Sequence, residues 1–223
     1  MTWIPLGNPH PSKQPVIYKP IVWSIGKTIE LPTPKNLPKQ DLNEIISSRR
    51  TRRTFEPLSL QELSNMLWCS AKCQKEAESP FGFALEWRPV PSGGAIHPIH
   101  IAVLVPDESL IWLYNPRTHC LSEIQQSQEI VNGLRDHVAT LLSPQMATVL
   151  LFVAEPGKTL AKYADGCSLI WRDAGVLLGH LSIVTEAMNL NYCPLGITGE
   201  PWGSQLDSNG QLVGVGVALV GAR

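Results

Sequence analysis

Residues 168–190, SLIWRDAGVLLGHLSIVTEAMNL, make up the longest apolar stretch of the chain, and no other segment limits the choice of folds as much. Arg172, Asp173, His180 and Glu186 stand inside it. Ionisable groups at those depths are costly in hydrocarbon, so the stretch reads as a central, nearly fully buried helix of a globular protein and not as a membrane span. Ala174, Gly175, Gly179 and Ser182 form a stripe of small residues along it, which lets a second helix approach closely. With 223 residues, 43% of them hydrophobic, the chain can bury a core of that kind in one domain.

The other segments are arranged around that helix. Residues 1–40 are rich in proline (GNPHPSKQPVIYKP, ELPTPKNLP) and read as an extended arm that must lie on something, leaving 41–223 as the folded domain. DLNEIISSRR predicts a helix over 41–50, with Asp41 and Glu44 at capping-box spacing. SLQE, with Ser59 and Glu62, opens another over 59–71. A polar stretch without clear periodicity follows to residue 87. A loop (88–98) leads into a strand, IHIAVLV, and LIWLYNPRTHCLSEI predicts a hairpin turning at Asn115-Pro116. In SQEIVNGLRDHVATLL, residues Ile130, Val131, Leu134, Val138, Leu141 and Leu142 share one helical face. ATVLLFVAE is a further strand. The closing strand alternates Val213, Val215, Val217 and Leu219 with Gly214, Gly216 and Ala218, which predicts one bulky and one bare side with something large against the latter. This order lacks regular βαβ alternation and predicts an α+β layer fold.

Charge narrows the function. The balance of 18 basic and 19 acidic residues gives no general attraction to nucleic acid or to an anionic membrane. Five cysteines without a repeated CxxC, and no cationic start followed by an apolar segment, point to the cytoplasm; Cys69 and Cys73 read as packing thiols. His97 and His100 lack a third ligand and read as structural, so no metal site is expected. P-loop, GxGxxG and GxSxG patterns are absent. Against this neutral background RRTRRTF packs Arg49, Arg50, Arg52 and Arg53 around Thr51. Cations at a helix C-terminus are favoured by the macrodipole, which accounts for the first two only. Guanidiniums with a hydroxyl between them suit a phosphate dianion. Two backbone-rich turns, PSGG (Pro91, Ser92, Gly93, Gly94) and PLG (Pro194, Leu195, Gly196), allow close approach to a flat ligand.

The order RRTxR, PSGGAxxP, Lys162-Tyr163 and a glycine-bearing helix ending in CPLG resembles the nitroreductase superfamily of FMN-dependent oxidoreductases, and within it the SagB-type branch that oxidises thiazolines and oxazolines in modified peptides. The resemblance runs from about residue 27 to the end. It implies a homodimeric α+β sandwich with two flavins at the subunit interface and the long helix as the dimer helix. It assigns Arg49, Thr51 and Arg53, with Arg50 beside them, to the FMN phosphate. It further implies that Pro91, Ser92, Gly93 and Gly94 lie against the flavin ring and that Pro194, Leu195 and Gly196 supply backbone contacts at its edge. It also implies a Lys162-Tyr163 catalytic pair, the phenol as base and the ammonium as its partner, on a small or peptide substrate, with partner enzymes of a biosynthetic system. Adjacent residues on a regular helix diverge by about a hundred degrees, so the pair converges only at a helix end or in a loop. Two alternatives stay open: an NAD(P)H-dependent nitro or quinone reductase, and a non-catalytic flavin-binding scaffold subunit.

Overall fold

The computed structural model describes residues 5–125, 128–143 and 146–223. In chain order its elements are β1 (His10–Pro11), β2 (Ile25–Glu30), α1 (Leu42–Ser48), α2 (Leu60–Ala71), β3 (Lys75–Ala77), β4 (Leu85–Trp87), β5 (Ile99–Leu104), β6 (Ile111–Asn115), β7 (Cys120–Ile124), α3 (Gln128–Leu141), β8 (Thr148–Ala154), α4 (Pro156–Lys162), β9 (Tyr163–Ala164), α5 (Cys167–Ala187), β10 (Leu190–Pro194), α6 (Trp202–Gln205) and β11 (Val213–Ala222). Seven strands form one sheet in the order β10-β11-β8-β5-β6-β7-β2, with every neighbouring pair antiparallel. This is the α+β layer arrangement that the mixed order of elements predicts.

Helices cover both faces of the sheet. On one, Ile99, Ile101, Val103, Leu150 and Phe152 pack against Leu63, Met66 and Leu67 of α2 and Ile170, Leu177 and Leu181 of α5. On the other, Ala102, Leu104, Val149, Leu151 and Val153 pack against Ile130, Val131, Leu134 and Val138 of α3. β8 lies between the two layers and is buried at every position, which explains why its sequence is a continuous apolar run without polar alternation.

Several expectations need correction. α1 ends at Ser48, so all four arginines lie past its last turn, and the Asp41 carboxylate accepts from the Asn43 N–H in place of a box with Glu44. At α2 the reciprocal Ser59–Glu62 box is present. Leu141 is exposed at the end of α3, and Ser127, the first residue of that expected helix, lies outside the described residues. β11 has no single bare side. A register shift between Gly214 and Gly216 puts Val215 in the α2/α5 layer and Val217 and Leu219 in the α3 layer. The missing side chain at Gly214 is matched by the 198–200 backbone, 2.7 Å from where its Cβ would sit. Finally, α5 is not nearly fully buried: Trp171 and Val176 are 45% and 40% exposed, and nothing lies within 4 Å of where a Cβ on Gly175 or Gly179 would be.

The proline-rich segment runs along the domain and joins it. β2 is the edge strand beside β7. Further upstream, β1 pairs with β9, the Ser12 and Val16 N–H groups donate to the Lys162 and Ala161 carbonyls at 2.9 and 3.1 Å, and the Tyr18 N–H donates to Phe81 O at 2.8 Å. The arm thereby takes up carbonyls that the C-terminus of α4 would otherwise leave unpaired.

Candidate functional site

The arginine segment leaves α1 and runs beside β10, with the Arg52 N–H donating to Tyr192 O at 3.2 Å and the Asn191 amide to Thr54 O at 2.8 Å. The four guanidiniums divide by partner. Arg52 grips Glu186 of α5, and Arg223 reaches the same carboxylate at 2.9 Å. Burial raises the Glu186 carboxyl, but the hydrogen bonds from Arg52 and Arg223 outweigh it and hold the group below the usual carboxylate range. Arg50 folds back onto the Ser47 and Arg49 carbonyls at 2.9 and 2.7 Å. Arg49 and Arg53 have no acidic partner among the described residues. Arg53 and Thr51 are exposed and Arg49 is half-buried, and Arg53 acts on the Cys193 thiol, countering the rise that burial gives it.

The 91–94 turn is held by α5. The Ser92 hydroxyl donates to Asp173 Oδ2 at 2.6 Å, and the Gly93 N–H donates to Oδ1 and Oδ2 at 3.0 and 3.2 Å. Ser92 Oγ in turn accepts from the His97 N–H at 3.0 Å. Burial raises the Asp173 carboxyl, opposed by these two donors. Gly94 takes φ +68°, the left-handed region that glycine enters without penalty. A Cβ there would lie 2.7 Å from both Lys162 Nζ and Tyr163 Oη. The ammonium also donates to Gly94 O at 3.2 Å and sits 5.6 Å from the centre of the Phe81 ring. Lys162 is the last residue of α4 and Tyr163 its extended cap, with φ −122° and ψ 125°. A break in the helix therefore brings two consecutive side chains onto one glycine.

Of the PLG turn, Pro194 has no N–H and the Leu195 N–H is given to Val217 O at 2.8 Å. Gly196 alone has an amide to offer, and the space around its α-carbon is open. His97 and His100 are structural in their contacts. His97 Nε2 bonds Glu86 O at 3.0 Å and His100 Nε2 bonds Glu155 at 2.9 Å; burial, with Arg88 nearby, drives the His97 imidazole down to about 4. Sequence reasoning did not identify Asp173 as the residue that fixes the 91–94 turn. Its one visible signal was a carboxylate within an apolar helix.

Arginines without acidic partners and two glycine turns are a setting that can take a flat, phosphate-bearing ligand. The nitroreductase family profile matches residues 46–201, and the chain belongs to that family. Among solved structures it is similar to a protein from Ralstonia eutropha JMP134 described as a nitroreductase, with 21% identity over 93% of this chain and 96% of that one and a TM-score of 0.64. It is similar to a chain of the Escherichia coli microcin synthetase McbBCD complex with truncated pro-MccB17 bound, with 16% identity over 85% and 75% of the two chains and a TM-score of 0.60. A protein from Desulfovibrio desulfuricans, described as a nitroreductase in complex with FMN, shares 16% identity over 82% and 86% at a TM-score of 0.52. Among curated proteins none matches. The protein is an FMN-dependent oxidoreductase. Its residues fit the cofactor: two guanidiniums free of acids, a glycine turn whose bare α-carbon faces an ammonium and a phenol, and a second turn with one open amide.

Proposed function

We propose that the protein dehydrogenates a thiazoline or oxazoline ring in a modified peptide, with Tyr163 as base and Lys162 as its electrostatic partner. The observation that carries this reading is the convergence of Lys162 Nζ and Tyr163 Oη on Gly94 of the PSGG turn. A plain reductase, whose donor already brings a hydride, has no need for a base at that point. When bound, FMN supplies the hydride acceptor. The chain does the rest. Arg49 and Arg53, with Thr51 and Arg50 beside them, hold the phosphate through charge-assisted hydrogen bonds. Residues 91–94 bring backbone against the ring, and the Gly196 amide meets its edge. Tyr163 takes the proton from the substrate carbon, with the Lys162 ammonium beside it at Gly94. That the McbBCD structure has truncated pro-MccB17 bound is in keeping with a peptide substrate here too.

The same reading requires a homodimer. The arginine segment is tied to Glu186 and the PSGG turn to Asp173, positions about 20 Å apart along α5 at 1.5 Å per residue. The ribityl chain of one flavin does not span that length. Two copies laid antiparallel along the open face of α5 bring the arginines of one beside the PSGG turn of the other.

Stopped-flow reduction of the bound flavin tests the reaction. Tyr163→Phe and Lys162→Ala should each keep FMN but slow reduction by an azoline peptide by roughly a hundredfold or more, the usual scale of general-base loss. Undiminished rates in both variants, or rapid reduction by NAD(P)H with none by azolines, would favour the reductase. No turnover with any donor would favour a scaffold subunit.

A further inference from the structure

We propose that Asp173 is the positioning residue of the PSGG turn, its carboxylate fixing Ser92 and Gly93 so that the Gly94 peptide is left to the cofactor. The inference rests on the reading that FMN seats on residues 91–94. Among the donors of that turn, the Ser92 O–H and the Gly93 N–H both end on Asp173, and the Ala95 N–H ends on Ser92 O at 3.1 Å. The Gly94 N–H has no acceptor among the described residues, while the Gly94 carbonyl accepts from Lys162. One carboxylate thus absorbs the two donors that precede the peptide that stays available, and the same turn is joined to the lysine of the catalytic pair. No cation lies within ion-pair distance of Asp173 among the described residues. Its carboxylate accepts from a hydroxyl and an amide on a half-buried helix face, with the Arg172 charge acting on it from the next residue; a fixed charge there acts on a neighbouring cofactor through a poorly screened medium.

Asp173→Asn tests this with little change of volume. A carboxamide has one oxygen, so its NH2 faces the Gly93 N–H where Oδ1 accepted at 3.0 Å, and only the longer 3.2 Å contact is left to that donor. Amide hydrogen exchange at Gly93 and Gly94 should quicken by about tenfold or more. The midpoint potential of the bound flavin should rise because a negative charge has gone. Ser92→Ala keeps the charge; it should quicken exchange at Gly93 and move the potential less than Asp173→Asn does. Parent exchange rates in Asp173→Asn, or an unmoved potential, would overturn the proposal. If Asp173→Asn does not fold, Ser92→Ala decides, and parent-like exchange there counts against the clamp. The seating of the flavin is checked separately on the parent. If removing FMN leaves exchange at 92–95 unchanged, the seating reading fails, and this proposal with it.

Discussion

Arg52 and its neighbours illustrate how little a residue's type says before its partner is known. Glu186 is 6% exposed, and an acid at that depth needs its guanidiniums. Arg52→Ala should therefore act on stability, lowering it by about 1–3 kcal/mol, with Arg223 keeping the carboxylate from being left wholly unpaired. The double variant Arg49→Ala/Arg53→Ala removes two cations without acidic partners and should leave the melting temperature nearly unchanged while the protein purifies without its yellow colour. Thermal melts alongside flavin content separate the two cases. A colourless Arg52→Ala with parent stability, or a yellow double variant, would reverse the assignment. In the sequence all four arginines look alike, and the fold sets Arg52 apart by bringing Glu186 to it.

At the scale of elements, α4 and the arm lock together through one glycine. A Cβ on Gly157 would lie 2.1 Å from the Tyr18 ring, so the arm crosses the helix where only glycine fits. Gly157→Ala adds helix propensity to α4 but expels Tyr18. The expected outcome is an intact domain whose residues 5–24 are cut by protease far faster than in the parent; an unchanged digestion pattern would show that the crossing yields. The arm is also where the sequence was least legible. The Ser59–Glu62 cap, the hairpin at Asn115-Pro116 and the long helix are local signals, written in neighbouring residues, and the structure has them. β2 depends on pairing with β7, about ninety residues away in register, and the swap of faces in β11 depends on its bulge against β8. Glycines 214 and 216 carry no side chain that could announce a face in advance. The site shows the same division. PSGG, Lys-Tyr and PLG are readable as short strings, but the meeting of Lys162 and Tyr163 at Gly94, and the hold of Asp173 on Ser92, come from packing α4 and α5 against the turn.

The whole molecule presents an imbalance that one chain does not resolve. α5 packs Ile170, Ala174, Leu177 and Leu181 inward and leaves Trp171, Gly175, Val176 and Gly179 outward, with nothing beyond the helix itself within 4 Å of where a Cβ on either glycine would sit. If this face receives a second copy, bulk placed there has opposite effects on the chain and on the assembly. A Cβ at Gly175 or Gly179 meets no atom of the protomer beyond its own helix within 4 Å, and leucine is favoured over glycine inside a helix by roughly 0.5–1 kcal/mol. Each isolated protomer should therefore gain stability. The assembly should lose it, because a leucine at the closest approach of two helices forces them apart. Since the proposed flavin site takes its arginines from one chain and its glycine turn from the other, dimer and colour should be lost together. Light scattering should give a monomer mass for Gly179→Leu at micromolar concentration, with little FMN and an unfolded fraction no larger than the parent's. A variant that stays dimeric and yellow would place the interface on another face, and a monomer that keeps its flavin would show that one chain suffices to hold it.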